Sequence, residues 1–549
     1  VTALLLLSSF AGLATATWQS VVARREAALA AAAAARADAM GEFMFETFAE
    51  AEPVAPRKGP MTVLEATERA WRIARDDAKA EPRARLELLA RLAEALDRQG
   101  DIAGAVERLQ FAANEATRLI GSDDPLTLEI EILLTNVIRL HGNYAEARRR
   151  YDELLLRVPE HATLLRTRLL PGSATLAARP ENDRARSHAE MDAALALARS
   201  LGPDELLAVL RNRAVTLIDL NETPAAIPAF EEQLVLLRER YGEKHEKLAT
   251  VLAALGRAYR RIGELERSQE LIEAAVAMDR EIFPGDHWIT ADHLNALSLT
   301  QELRGDLAAA LVSASESLRI SQVTDGANHP EALISRAVYA MMLSRSGRHP
   351  EALQQFRTLL ATAPAEQLRS RNGLCWRGHY GWALVLAGDP AAGTIELDQA
   401  LEGFAALVPP SHDHWAKIIE KRLLLALDRG DRVRAELLCS QLEQLAARVD
   451  STDPFWSGRI ATLRGELLLA QGRAPEALGH LNAAMREIDP SIWHGRALQI
   501  DNLLLRAQAT AALGDTATAR DLVQQGRTLL VALQSPPPRL TARAERSAY

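Results

Sequence analysis

Histidine and cysteine are the side chains of this 549-residue chain best suited to hold a metal or attack a substrate, and their spacing decides what they do. His245, His287, His329 and His412 each stand 18 residues ahead of a glycine: Gly263, Gly305, Gly347 and Gly430. They are one position repeated at the start of successive units. Metal ligands must converge to about 2 Å from one ion. Residues repeated once per pair of helices are two helix–helix steps apart, roughly 16–20 Å. The spacing therefore predicts capping and packing at helix starts, and the local triplet His412-Asp413-His414 is read the same way. Cys375 and Cys439 lie far apart, outside any Cys-x-x-Cys pattern, and make neither a disulfide framework nor a zinc set. The sequence has no phosphate-binding Gly-rich loop, no His-Arg-Asp or Asp-Phe-Gly triplet, no Gly-x-Ser-x-Gly elbow and no His-Glu-x-x-His helix. No catalytic residue, metal site or cofactor is read from the chain, and it is not expected to be an enzyme.

The stretch with most to offer a partner is Cys375-Trp376-Arg377-Gly378-His379-Tyr380-Gly381-Trp382. Trp and Tyr are favoured anchors at binding surfaces. His379 and Trp382, three residues apart and so on one side of a helix, are the candidate partner-binding residues. Packing between helices is the competing reading of the same side chains. Trp288, Trp415 and Trp456 fall 17, 15 and 16 residues before their glycines, a nearly constant place that predicts structural use at helix starts.

What must position these residues is set by the glycines. Gly100, Gly142, Gly263, Gly305, Gly347, Gly388, Gly430, Gly472 and Gly514 recur at steps of 42, with one step of 41 between Gly347 and Gly388. The gap from Gly142 to Gly263 leaves room for missing copies, and Asn221 falls 42 residues before Gly263. Asn is the other residue that tolerates the left-handed conformation of a helix end. Before each anchor runs an apolar helical pattern, such as Leu248, Val251, Leu252, Leu255, Ala258, Tyr259 and Ile262. A second helix follows, as in Leu265, Leu271, Ile272, Ala275, Val276 and Met278. Small residues recur five after the anchor (Ala105, Ala147, Ala310, Ala352, Ala435, Ala477, Ala519) and seven before it (Ala93, Gly256, Ser298, Ala340, Gly381, Gly465, Ala507). A bulky residue recurs nine after it, as in Tyr151, Phe230, Ile272, Phe356, Leu397 and Leu481. Each unit is thus a helical hairpin that cannot bury its apolar stripe alone, so neighbours must stack.

This constellation resembles the tetratricopeptide repeat, most clearly in Leu255-Gly256-Arg257-Ala258-Tyr259 with Gly263 and Ala275. Its long period, and openings such as Gly285-Asp286-His287 and Gly326-Ala327-Asn328-His329-Pro330, resemble the variety found in kinesin light chains and many bacterial signalling proteins. The resemblance implies an all-α solenoid, a right-handed superhelix of hairpins whose first helices line a concave face. It spans residues 84–534, about ten or eleven hairpins. The third hairpin is expected to be interrupted at Pro171-Gly172-Ser173 and at Arg179-Pro180-Glu181-Asn182, as a bend in the solenoid, with a partner site as the competing reading. A capping helix is expected over 61–83 and a disordered tail over 535–549, after Ser535-Pro536-Pro537-Pro538.

Residues 1–18 are apolar and uncharged, and reach about 27 Å as a helix, close to a bilayer core. They read as a transmembrane helix. A signal peptide cut after Ala16 and a buried helix are the competing readings. Residues 19–60 follow as an alanine-rich helical stalk and a Pro linker, with Phe43, Met44, Phe45 and Phe48 as a docking cluster. Membrane segment, stalk and repeats together resemble the C-terminal half of bacterial membrane-anchored serine/threonine protein kinases. That resemblance implies a bacterial inner-membrane protein with periplasmic repeats and a kinase domain upstream. Arg24 and Arg25 beside the span argue mildly for the cytoplasmic side instead. The net charge of −9 argues against a nucleic-acid surface. The expected function is a non-enzymatic scaffold or sensor region that binds a protein or peptide in its concave groove. Two alternatives stand beside it: the regulatory region of a kinase, and a secreted periplasmic repeat protein for envelope assembly.

Overall fold

The computed structural model describes residues 63–547, apart from 77–80, 99–101, 179–180, 182, 407–411, 449–453, 491–492 and 534–535. The expected membrane helix, stalk, linker and Gly100 lie outside the described residues. Every regular element among the described residues is a helix. None of these helices is long and apolar enough to cross a membrane.

The chain divides into two compact units. The first holds residues up to 176 together with 187–201. Its helices are α1 (Val63–Asp76), α2 (Pro82–Arg98), α3 (Ile102–Ile120), α4 (Pro125–Leu140), α5 (Tyr144–Arg157), most of α6 (Thr163–Ala178) and most of α7 (Arg184–Leu201). One continuous apolar cluster runs from Trp71 and Leu86 through Leu109, Ile132 and Tyr151 to Leu169 and Leu176.

The break expected at Pro171 is not there: α6 runs from Thr163 to Ala178 with the proline inside it. A proline in a helix interior forfeits a backbone bond. Here Leu169, Leu170, Ser173 and Ala174 are all buried, and that burial outweighs the local cost. Gly172 adds the reason for a glycine: a Cβ there would collide with Tyr151, whose hydroxyl donates to Asn136 Oδ1 at 2.7 Å.

The second unit holds 177–186 and everything from Gly202 onward. Its hairpins pair α8 (Pro203–Asp219) with α9 (Thr223–Tyr241), α10 (Glu246–Arg261) with α11 (Leu265–Ile282), and α12 (Trp288–Arg304) with α13 (Leu307–Thr324). Then come α14 (Pro330–Arg345) with α15 (His349–Thr362), the short α16 (Ala365–Arg369), and α17 (Arg371–Leu386) with α18 (Pro390–Ala406). The last pairs are α19 (His412–Asp428) with α20 (Arg432–Arg448), α21 (Pro454–Ala470) with α22 (Ala474–Glu487), and α23 (Trp493–Ala512) with α24 (Thr516–Ala532). A final helix, α25, spans Pro538–Arg546, where the sequence suggested a disordered tail.

The hairpin bends are where the period puts them. Gly142, Gly263, Gly305, Gly347, Gly388, Gly430, Gly472 and Gly514 all have positive φ, between 70° and 92°. Asn221 is the one non-glycine with positive φ among the described residues, at 61°. The residue after the bend often caps the second helix. Asp306 accepts from Ala309 N, Asp389 from Ala392 N, Asp431 from Arg434 N and Asp515 from Thr518 N, each at 3.0 Å.

The small-and-bulky pattern is a contact. A Cβ on Gly256 would meet Ile272 Cγ1 at 2.5 Å, and one on Gly465 would meet Leu481 Cγ at 2.6 Å. The missing side chain lets the two helices of a hairpin close on each other. The core of this unit is accordingly a succession of local clusters. One joins Ile272, Leu294, Leu297 and Ile320, another Leu333, Phe356 and Trp376, another Leu423, Leu438 and Leu463. Each unit of the stack is stabilised by its neighbours, as in a one-dimensional array.

Candidate protein-binding face

In the second unit the first helices touch one another across successive hairpins: α10 with α12, α12 with α14, α14 with α17, α17 with α19, and α21 with α23. Side chains join the remaining pair, α19 and α21, through Arg459 with Glu420 and through Leu423 with Leu463, so these helices make up one wall. The wall also meets itself, because α23 reaches α12 across the inside of the curve. His494 Nε2 lies 3.7 Å from Glu302 Oε1, and Arg345 Nη1 lies 2.6 Å from the same oxygen. The open groove expected from the repeat pattern is therefore bridged here. Helix α23 has 20 residues, and its first turn carries His494 to this contact.

The inner wall is charged. Lys421 on α19 donates from Nζ to His379 Nδ1 on α17 at 2.9 Å. Arg459 on α21 pairs with Glu420 at 2.6 Å and lies 3.5 Å from Asp501 on α23. Burial within the curve pushes the Lys421 ammonium down to about 7, and the neighbouring Arg345 pushes the same way. Burial likewise pushes His494 down to about 4, against the opposing pull of Glu302. Burial also works against the charge on Arg459, but Glu420 and Asp501 outweigh it and hold that guanidinium above its ordinary range. A partly enclosed wall carrying the Glu302–Arg345 and Glu420–Arg459 pairs discriminates between ligands of different charge.

His379 thus faces the inner wall, engaged with Lys421. Trp382 is half-buried and packs against the cluster of Ile419, Leu423, Leu438 and Leu463. The two sit on one helix but in different company. The glycines beside them serve packing: a Cβ on Gly378 would meet Ile418 Cδ1 at 2.7 Å, and one on Gly381 the Gly393 carbonyl oxygen at 3.0 Å. Trp376 is buried.

The repeated histidines are caps. His245, His287 and His329 each accept from the backbone N–H two residues on, at 3.1, 3.3 and 3.4 Å. His287 also stacks on Phe283, and His245 on Tyr241. The side chains of His412, Asp413 and His414 lie outside the described residues. Among the described residues no group of three His, Cys, Asp or Glu could hold a metal. Cys375 and Cys439 are buried thiols, pushed up by that burial to about 11 and about 12, so neither is a thiolate nucleophile near neutral pH.

One constellation escaped the sequence reading. His293 Nδ1 lies 2.7 Å from Asp279 Oδ2, the arrangement of a base and its orienting acid, with serines nearby in the stack. Both side chains are sealed, at 2% and 0% exposure. No substrate atom reaches them, and a general base must touch the proton it takes. The pair belongs to a run of helix-to-helix polar contacts: Asn295 Nδ2 to Ser335 Oγ at 2.9 Å, Ser298 Oγ to the Ala310 carbonyl at 2.8 Å, and Ser317 Oγ to the Ala291 carbonyl at 2.6 Å. These residues fall 12 before their anchor (His293), 10 before it (Asn295) and 12 after it (Ser317), and a tally of polar residues by repeat position would have flagged them.

The family model described as tetratricopeptide repeat matches residues 205–281 and 289–365. Solved structures of the same kind are similar to the chain at low identity. The kinesin light chain TPR-like repeats of Podosopora anserina share 19% identity, covering 38% of this chain and 100% of that one, with TM-score 0.31. A tetratricopeptide repeat protein of Parabacteroides merdae shares 15%, covering 55% and 98%, with TM-score 0.35. A Rap protein complexed with Competence and Sporulation Factor shares 12%, covering 76% and 99%, with TM-score 0.45. No curated protein matches the chain. Residues 205–281 and 289–365 are thus tetratricopeptide repeats, a repeat type that serves protein–protein interaction.

Proposed function

We propose that the chain is a protein-binding scaffold whose ligand, a peptide or helix of a partner protein, lies along the inner wall between α12 and α23. The observation that carries this reading is the convergence of Glu302, Arg345, His379, Lys421, Arg459 and His494 on one enclosed face. Evenly stacked hairpins need only apolar stripes to hold together. Charged pairs clustered on an inner wall, beyond what stacking needs, suit a ligand that takes the place of one partner. His379 and Trp382 are the proposed contacts on α17. The apolar residues 1–18 support placing this scaffold at a membrane, with the repeats as the sensing part of a signalling protein.

The test is selection of peptides displayed from the source proteome on the full chain, followed by titration. Enriched peptides are expected to bind in the micromolar range and to lose about tenfold in affinity on Lys421→Glu or Trp382→Ala. Peptides that ignore these changes and respond only to substitutions on the second helices would contradict the reading. Loss of vesicle association on removing residues 1–18 checks the membrane placement.

A further inference from the structure

The last helix packs on α23 and α24, as a next helix in the stack would, but its arginines reach further than stacking requires. A helix that continued the array beyond α23 would lie three helix steps from α19, roughly 24–30 Å away. Yet Arg539 of α25 donates from Nε to Asp428 Oδ1 on α19 at 2.9 Å, and from Nη2 to Glu466 Oε1 on α21 at 2.6 Å. Arg543, one turn on, pairs with the same Glu466 and with Asp501 on α23. Its arginines therefore reach the first helices of the last three hairpins and cover an acidic track of Asp428, Glu466 and Asp501. Its other side sets Leu540 and Ala544 against Ile500, Leu504 and Leu533.

Three features mark this helix as a seated ligand more than as part of the wall. It has 9 residues, below the length at which an isolated helix holds in water. Pro536 and Pro537 precede it after α24, so it is a tethered segment at high local concentration. Its apolar hold is slight, Leu540 and Ala544, while its arginines meet three carboxylates. Salt screens the part-exposed Arg539–Asp428 pair, while the more enclosed pairs to Glu466 and Asp501 are screened less.

We propose that α25 is a displaceable occupant of the acidic track, and that the partner segment taking its place is a helix bearing two arginines four residues apart with an apolar residue between them. This rests on the reading of the inner wall as a protein-binding face, and gives that face a ligand chemistry and a built-in competitor. A partner helix with a larger apolar side displaces α25, and without one the tail keeps the track covered.

The experiment uses the full chain and a fluorescent peptide of residues 536–549. Arg539→Ala with Arg543→Ala in the chain frees the track, and this variant is expected to bind the peptide about tenfold more tightly than the unaltered chain. Adding Glu466→Gln is expected to remove the gain. Equal affinity of the unaltered and arginine-free chains, or indifference to Glu466→Gln, overturns the proposal. Should the arginine-free chain fail to fold, trypsin on the unaltered chain decides. Cleavage after Arg539 and Arg543 is expected to quicken about tenfold between about 50 mM and about 500 mM salt, ahead of cleavage within α21–α24. Salt-independent cleavage there overturns it. Peptides from the display selection that still need Lys421 but ignore Glu466→Gln would leave the scaffold reading standing while this one falls.

Discussion

The hairpins from Glu246 to Arg345 and those from His412 to Ala532 share a backbone plan and differ in where they put polarity. In the former, apart from the Glu302–Arg345 pair at the inner wall, it is neutral or closely paired and sealed between helices, in Asp279–His293, Asn295–Ser335, Ser298 and Ser317. In the latter it is charged and turned to the inner wall, in Glu420–Arg459, Glu466 and Asp501. The difference teaches that one repeat scaffold uses polar groups in two ways. Short, sealed hydrogen bonds fix how neighbouring helices register. Charges on the inner wall leave a surface that a ligand, or the chain's own last helix, can satisfy.

The sharpest way to break this comparison is Asp279→Leu. It leaves His293 buried without its partner and is expected to cost about 3–5 kcal/mol in chemical denaturation, since removing one member of a buried pair strands the other. Asp279→Leu with His293→Leu together should recover most of that loss. Glu466→Gln, on the inner wall, leaves Arg539 and Arg543 their pairs with Asp428 and Asp501 and should cost less, about 1–2 kcal/mol. Similar costs for Asp279→Leu and Glu466→Gln would erase the distinction.

Gly256→Val comes next. It drives a side chain into Ile272 and the Ser268 carbonyl oxygen, and overpacking of this kind costs about 1–3 kcal/mol in the same assay. Asn221→Ala tests the bend: at φ 61° alanine should cost roughly 1 kcal/mol, whereas Asn221→Gly should be close to neutral.

The smallest effect is one of pH. Lys421 titrates at about 7 in the folded chain against an ordinary 10.5. Between those values the unfolded chain binds the extra proton, so stability contributed by this site rises with pH across that window. Below about 7 both states are charged, and the penalty of burying the charge is fully present. Lys421→Met should therefore flatten the rise in Tm between neutral and alkaline pH, and an unchanged slope would show the ammonium to be well hydrated.

The repeat was legible because its signals are local. Gly305 and Asn221 announce a left-handed residue through their type, and Gly256 with Ile272 announces a close approach through spacing within one hairpin. Helix α25 was missed because nothing within it predicts order. Arg539 and Arg543 find their partners 42 to 111 residues earlier in the chain, where no local pattern looks. Pro171 misled for the same reason, since burial of Leu169, Leu170 and Ala174 overrode a local helix breaker. His379 was legible as an inner-face residue, but its engagement with Lys421 joins two hairpins and shows only in three dimensions.

The measurement that bears most directly on this division is residue-resolved hydrogen exchange of the full chain at about 50 mM and about 500 mM salt. Amides of α25 should lose protection at the higher salt while those of α12, α13 and α14 hold theirs. If protection in both regions stayed constant, or fell together, then the two kinds of buried polarity would not be doing different jobs.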